Sequence, residues 1–302
     1  MDKILKKFFI PQIKKETLYL LNRIKKYDCN SKLCIFGYHK DKFLISSYKD
    51  EVNLYNNNII KNRFFHNGFI NSAIFNKKGN KVLTSSNDKT VKLHGNQIKT
   101  FEHQNTVQFA VFNKSENKII TLSKNIVHIW DLEGNKLNTL NHDHNVNFLF
   151  PNTKFILTSS FDCIVRLWDH NTLLFPHREY VNSVVSSFYN NLILTSSENK
   201  AIIWNKEGKK INILEHDCDI YFVIDTYKNI ITTGSNQAFM WNHSGKLLRI
   251  FNHDNIYYAI LNPITNNILT VSNNTAKLWD YQGKIITTFY YKDYIKYLNL
   301  LS

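Results

Sequence analysis

Short apolar runs broken by polar turns fill this chain from about residue 31 onward, and they recur in sets. Each set opens on an almost wholly apolar run, such as INSAIF from Ile70, VQFAVF from Val107, VNFLF from Val146 or IYFVI from Ile220. A polar turn and a second run, such as KVLTSS or NNLILTSS, follow. Runs this short and apolar on both alternating faces predict strands buried on both sides. A third run closes on an aromatic residue (HIW, VRLWD, AIIWN, AFMWN, AKLWD), and a Gly-Lys turn leads into a fourth, outermost strand at Gly134, Gly208, Gly245 and Gly283. Glycine there supplies the positive φ of a short hairpin, and lysine beside it discourages edge pairing with another molecule.

The sets keep time. Trp130, Trp168, Trp204, Trp241 and Trp279 are 38, 36, 37 and 38 residues apart. His66, His103, His142, His177, His216 and His253 run in phase with them, with spacings of 37, 39, 35, 39 and 37. Between the two markers lies a TSS-like stretch, as at Thr84 to Ser86 and Thr195 to Ser197. Two further copies keep the frame with Tyr55 and His94 in the tryptophan's place, which makes seven. A fixed period of this length means one supersecondary unit copied along the chain, each copy burying its apolar face against its neighbours.

The histidine, the Ser/Thr-rich strand, the tight turn and the closing Trp-Asp together resemble the WD-repeat family, over roughly residues 31 to 290. The resemblance implies an all-β fold, a seven-bladed β-propeller of four-stranded antiparallel blades. Its repeats are expected near 31–65, 66–102, 103–141, 142–176, 177–215, 216–252 and 253–290, within a domain spanning 31–302. It also implies a structural role for the six histidines and five tryptophans, and for Asp88 and Asp162 as turn residues that accept a hydrogen bond from the nearby histidine. Only the fourth copy carries every element: His142, Ser159 or Ser160, Asp162, Trp168 and Asp169. Four copies shorten the turn before the third strand and place Asn125, Asn199, Asn236 or Asn274 there, where asparagine is expected to take the left-handed conformation.

Residues 1–30 stand outside the repeats. Ile4, Leu5, Phe8 and Phe9, then Ile13, Leu20, Leu21 and Ile24 beyond Pro11, fit two short basic helices packed on the rim. At the other end, 291–302 reads as an extra strand that competes with the run at Leu33 to Phe36, and spacing favours the latter. With 43% apolar residues, nine Gly and four Pro, one large core without linkers is expected. Four cysteines without metal or redox spacing suit an intracellular, cytoplasmic setting, with the nucleus left open.

No phosphate loop, nucleophile elbow or spaced cysteine pair occurs, so no catalytic, cofactor or metal site is assigned and an enzyme is not expected. The net charge of +14 is expected to be unevenly placed. Twelve lysines, among them Lys77, Lys114, Lys206 and Lys246, fall in turns of one face. Asp143, Asp217, Asp219 and Asp254 lie beside the repeat histidines on the other. With Tyr48, Phe161, Tyr180 and Tyr257 these carboxylates form the candidate partner-binding set, suited to a basic peptide. The reading is a monomeric, non-enzymatic protein-interaction scaffold. The alternatives are a substrate-recognition subunit of a ubiquitin ligase, and RNA or an anionic surface held on the basic face.

Overall fold

The computed structural model describes residues 34–39, 42–48, 50–56, 59–152, 154–169, 172–187, 192–226, 228–261, 265–272 and 274–290. Both the N-terminal helices expected over 1–30 and the strand expected over 291–302 lie outside the described residues. Within them the chain is all-β, and its strands form seven four-stranded antiparallel sheets, the blades of a WD-type β-propeller fold.

The chain divides into two compact units. The first holds three sheets: β1 (Cys34–His39), β2 (Lys42–Tyr48), β3 (Glu51–Asn56) and β4 (Ile59–Phe65); β5 (Ile70–Phe75), β6 (Val82–Ser86), β7 (Thr90–His94) and β8 (Ile98–Glu102); β9 (Phe109–Phe112), β10 (Lys118–Ser123), β11 (Ile126–Asp131) and β12 (Lys136–Asn141). To the second belong the central residues of β13 (Val146–Pro151), with β14 (Ile156–Ser160), β15 (Ile164–Trp168) and β16 (Thr172–Pro176). Three sheets follow in the same unit: β17 (Val181–Ser186), β18 (Ile193–Ser197), β19 (Lys200–Trp204) and β20 (Lys210–Glu215); β21 (Ile220–Asp225), β22 (Ile230–Gly234), β23 (Gln237–Trp241) and β24 (Leu247–Asn252); β25 (Ile256–Leu261), β26 (Ile268–Ser272), β27 (Thr275–Trp279) and β28 (Ile285–Tyr290). Every sheet is contiguous in sequence and ordered as the chain runs. Of the run at Leu33 to Phe36, Cys34 to Phe36 fall on β1, which pairs with β2, and Leu33 lies outside the described residues.

Burial follows strand position. The second strands β6, β14, β18 and β22 are buried at every residue, which is why they are dense in β-branched side chains and need no polar face. Six of the fourth strands are exposed or half-buried except at one fully buried position near the end. Phe64, Phe101, Leu140, Phe175, Leu214 and Phe251 take that position, two residues before each repeat histidine. Several of these side chains meet the next sheet's tryptophan edge-on, Phe101 with Trp130 at 5.5 Å, Phe175 with Trp204 at 5.5 Å and Phe251 with Trp279 at 5.7 Å between ring centroids. Phe64 meets His94 at 4.4 Å in the copy that lacks a tryptophan. Such aromatic contacts add about 0.5–1.5 kcal/mol to area burial and here act between sheets.

The turns before the fourth strands carry glycine at φ of 104°, 85°, 84° and 92° (Gly134, Gly208, Gly245, Gly283). In the shortened turns before the third strand the expectation needs correcting. In two of them the left-handed residue is the one before the asparagine, Lys124 at φ 53° and Glu198 at φ 47°. The asparagines act through their side chains instead. Asn125 Nδ2 donates to the His142 carbonyl at 2.8 Å, and Asn125 O accepts from His142 N at 3.0 Å. Asn199 and His216 make the same reciprocal pair at 3.2 and 3.0 Å. A bare amide is short enough to latch the turn to the end of its own sheet's fourth strand. A side chain other than glycine in the left-handed region costs about 1–2 kcal/mol, so Glu198→Gly is expected to raise the unfolding free energy by about 0.5–1 kcal/mol after glycine's entropy is deducted. Chemical denaturation checks this, and a loss of stability would contradict the turn geometry.

Candidate functional site

Each of five repeat histidines, His66, His103, His177, His216 and His253, belongs to two sheets at once. Its backbone N donates to the turn of the sheet it has just left: His66 to Asp50 O, His103 to Lys89 O, His177 to Cys163 O, His216 to Asn199 O and His253 to Asn236 O, all between 2.9 and 3.0 Å. Its ring bonds a threonine on the second strand of the following sheet: His103 to Thr121, His177 to Thr195 and His216 to Thr232, each Nε2 to Oγ1 at 2.8 Å. The same hydroxyl accepts the indole N–H of the closing tryptophan. Trp130, Trp204 and Trp241 reach Thr121, Thr195 and Thr232 at 2.9, 2.9 and 3.0 Å, and Trp168 and Trp279 reach Thr158 and Thr270 at 2.8 Å.

The direction of this relay can be assigned. His103 Nδ1 lies 3.0 Å from Phe101 O and His177 Nδ1 lies 2.8 Å from Phe175 O. A carbonyl oxygen only accepts, so Nδ1 carries the proton and Nε2 of the neutral ring accepts from threonine. The relay therefore runs from indole N–H to threonine oxygen, from threonine O–H to imidazole, and from imidazole N–H to a backbone carbonyl. Burial holds His103, His177, His216 and His253 down at about pKa 4, with the charge of His128 adding to the effect at His103. At His253 the ring is turned, with Nδ1 on Thr270 and Nε2 on Thr275, both at 2.7 Å.

The second sheet varies the theme. His94 takes the tryptophan's place and lies 3.0 Å from Thr84 Oγ1 through Nε2, while His66 Nε2 reaches the same oxygen at 2.7 Å. His66 Nδ1 donates to Asp88 Oδ2 at 2.8 Å. Burial pushes the Asp88 carboxyl up, but hydrogen bonds from Thr90, Asn67 N and His66 outweigh this and leave it at about 2. In the fourth sheet Asp162 Oδ1 accepts from Ile164 N at 3.0 Å and Oδ2 pairs with the buried Arg166 guanidinium at 2.6 Å.

This frame fixes where the candidate binding residues stand. In the second unit, the histidine-led loops and the turns between second and third strands share one end of the sheets, tied by Ile220 N to Glu198 O at 2.6 Å and Asn255 N to Asn236 Oδ1 at 3.0 Å. Asp217, Asp219 and Asp254 are exposed there, with Glu179 and Glu198 beside them. The Asp217 to Asp219 loop is anchored by Cys218, whose sulfur occupies the space a side chain at Gly234 would need. Phe161 and Tyr180, 47% and 55% exposed, form an edge-to-face pair at 5.4 Å between two consecutive sheets on the same end. Asp143 is exposed on the corresponding loop end of the first unit. Tyr48 and Tyr257 fall on β2 and β25, and their side chains lie outside the described ones. At the opposite end of the second unit stand Lys206, Lys209, Lys228, Lys246 and Lys284.

Sequence reasoning missed Thr121 and Thr270 as relay hubs, and the buried aromatic two residues before the histidine. The Phe-x-His spacing at Phe64, Phe101, Phe175 and Phe251 is the signal that could have found the latter. Among the described residues no group of three or more His, Cys, Asp or Glu is placed to hold a metal ion.

A family model described as WD domain, G-beta repeat, matches residues 59–94, 134–169 and 171–205. WD repeats found at these three places support the WD-repeat family, without assignment to a subfamily. The matched segments begin in a fourth strand or the turn before it and end near the close of the third strand of the following sheet. The family's unit thus straddles two sheets, as the histidine does. No curated protein matches the chain. WD repeats generally form non-catalytic scaffolds that bind protein partners.

Removing the hub hydroxyl without changing shape isolates the relay. Thr195→Val strands the buried Trp204 N–H and the part-buried His177 nitrogen, and is expected to lower the unfolding free energy by about 2–3 kcal/mol. A thermal or chemical melt within about 0.5 kcal/mol of the parent chain would show that the hydroxyl is not a hub.

Proposed function

We propose that this protein is a non-enzymatic interaction scaffold whose acidic loop end receives a basic segment of a partner protein. The observation that carries the reading is the company kept by Asp217, Asp219 and Asp254. Three exposed carboxylates, two neighbouring glutamates and the Phe161–Tyr180 pair share one end of the second unit, on loops held from beneath by the histidine relays. Exposed carboxylates of one sign steer an oppositely charged partner, and rigid aromatics offer contact area at low entropy cost. The rigid sheets position the loops, and the loops meet the partner.

No set of nucleophile, base and oxyanion donors accompanies these residues, and the histidines a reaction would call on are neutral and engaged in the relay. An intracellular setting agrees with Cys163 and Cys218, which are free thiols, their pKa values raised chiefly by burial.

The test compares affinity purifications from cells with the parent chain and with Asp217→Lys/Asp219→Lys as bait, after matching thermal melts establish that both are folded. The expected result is the loss of partners that carry basic segments. An unchanged set of co-purifying proteins would refute the reading.

A further inference from the structure

The turns between first and second strands of the second and third sheets repeat one sequence and one geometry. Asn76-Lys77-Lys78-Gly79-Asn80-Lys81 joins β5 to β6, and Asn113-Lys114-Ser115-Glu116-Asn117-Lys118 runs from the end of β9 into β10. In each, the leading asparagine latches the turn. Asn76 Oδ1 accepts from Asn80 N at 3.0 Å and from Lys81 N at 2.9 Å, and Asn113 Oδ1 accepts from Lys118 N at 3.0 Å. Both amides donate onward to the second asparagine, Asn76 Nδ2 to Asn80 Oδ1 and Asn113 Nδ2 to Asn117 Oδ1, at 2.8 Å. The fourth residue is left-handed in both, Gly79 at φ 66° and Glu116 at φ 60°.

The two turns are also bound to each other. Lys77 N donates to Glu116 Oε1 at 2.6 Å, and Lys77 Nζ donates to Lys114 O. They form one rigid platform in the first unit, at the end of its sheets opposite the histidine-led loops, and carry Lys77, Lys78, Lys81, Lys114 and Lys118 against one carboxylate. Lys78, Lys114 and Lys118 are exposed. The corresponding turns of the fourth to seventh sheets hold one lysine, none, one and none, so the charge is concentrated here. Among the described residues, the acids at this end of the same two sheets are engaged locally. Glu116 accepts from Lys77 N, Asp131 accepts from Glu133 N and Asn135 N at 2.9 and 2.8 Å, and Glu133 pairs with Lys99.

Neither turn holds an aromatic side chain on which a base could stack, or an apolar one that could enter a bilayer. Charge alone is left to attract. We propose that this doubled turn receives an acidic segment of a partner protein, at a surface separate from the carboxylates that receive a basic one. Lysines are flexible point charges, suited to carboxylates in no fixed array rather than to a single bidentate partner. The latched backbone holds their stems in place, so an acidic chain is attracted without being folded onto the surface, and the binding weakens with salt. The general use of WD repeats in binding proteins favours an acidic protein segment over another polyanion.

Fluorescence anisotropy of a labelled polyglutamate peptide of about ten residues, added to the full chain at low salt, tests this. The parent is expected to bind in the micromolar range. Lys78→Glu/Lys118→Glu is expected to weaken binding about tenfold or more, whereas Lys209→Glu/Lys246→Glu, an equal change of charge in the second unit, is expected to weaken it less than about twofold. Thermal melts establish that the variants are folded. Lys78→Gln/Lys118→Gln, which removes charge without reversing it, is expected to weaken binding about threefold and carries the test if reversal disturbs folding. A parent that fails to bind, or an equal loss from the two pairs of reversals, overturns the proposal. Tighter binding of oligouridylate or of phosphatidylserine vesicles than of the peptide does the same.

Discussion

A single hydrogen-bonded ring, the imidazole of the repeat histidine, holds consecutive sheets in step. A sheet of this kind cannot bury both faces by itself, so the stability of the chain depends on contacts between copies. His177 shows the arrangement: its backbone N is bonded to the turn of one sheet at Cys163, its ring to Thr195 of the next, and the hydroxyl it meets is also bonded by Trp204. The aromatic two positions earlier, Phe175, lies on the same tryptophan. Polar and apolar couplings therefore converge on one residue, and a net hydrogen bond worth about 1 kcal/mol gains force because its loss leaves buried donors unmet.

The relay needs the neutral ring. Burial depresses the pKa values of His103, His177, His216 and His253 to about 4, against about 6.5 in an unfolded chain. A folded-state value below the unfolded one means that the unfolded chain holds more protons between these limits. The stability these histidines supply is thus complete above about pH 6.5 and declines as pH falls toward 4, by up to about 1.4 kcal/mol per unit for each ring. His66 shares the direction, with burial outweighing the Asp88 carboxylate that draws its pKa upward.

Much of this was legible in the residues because it repeats. The beat of His and Trp gave the sheet count and the strand order, and glycine before lysine marked the outer hairpins. What escaped was chemistry that a pattern of residue types does not encode. Threonine in TLS and TVS looked like any β-branched strand residue, yet Thr121 and Thr270 supply the hub oxygen. Asparagine in the short turns suggested backbone conformation, whereas Asn125 and Asn199 act through their amides and leave the left-handed angle to Lys124 and Glu198. Within the second unit Asp217, Asp219 and Asp254 share one end because antiparallel connectivity fixes which turns share an end. The Phe161–Tyr180 contact depends on three-dimensional spacing and could only be suspected.

His66, His103, His177, His216 and His253 are engaged in holding sheets together, and the loops they support carry the residues proposed to meet a partner. The most direct test of the central claim is a nitrogen-detected NMR titration of the histidine rings. The account predicts that His103, His177 and His216 are neutral at pH 7 with the proton on Nδ1, and stay so until the pH approaches about 4. Titration near 6.5, or a proton on Nε2 at neutral pH, would contradict it.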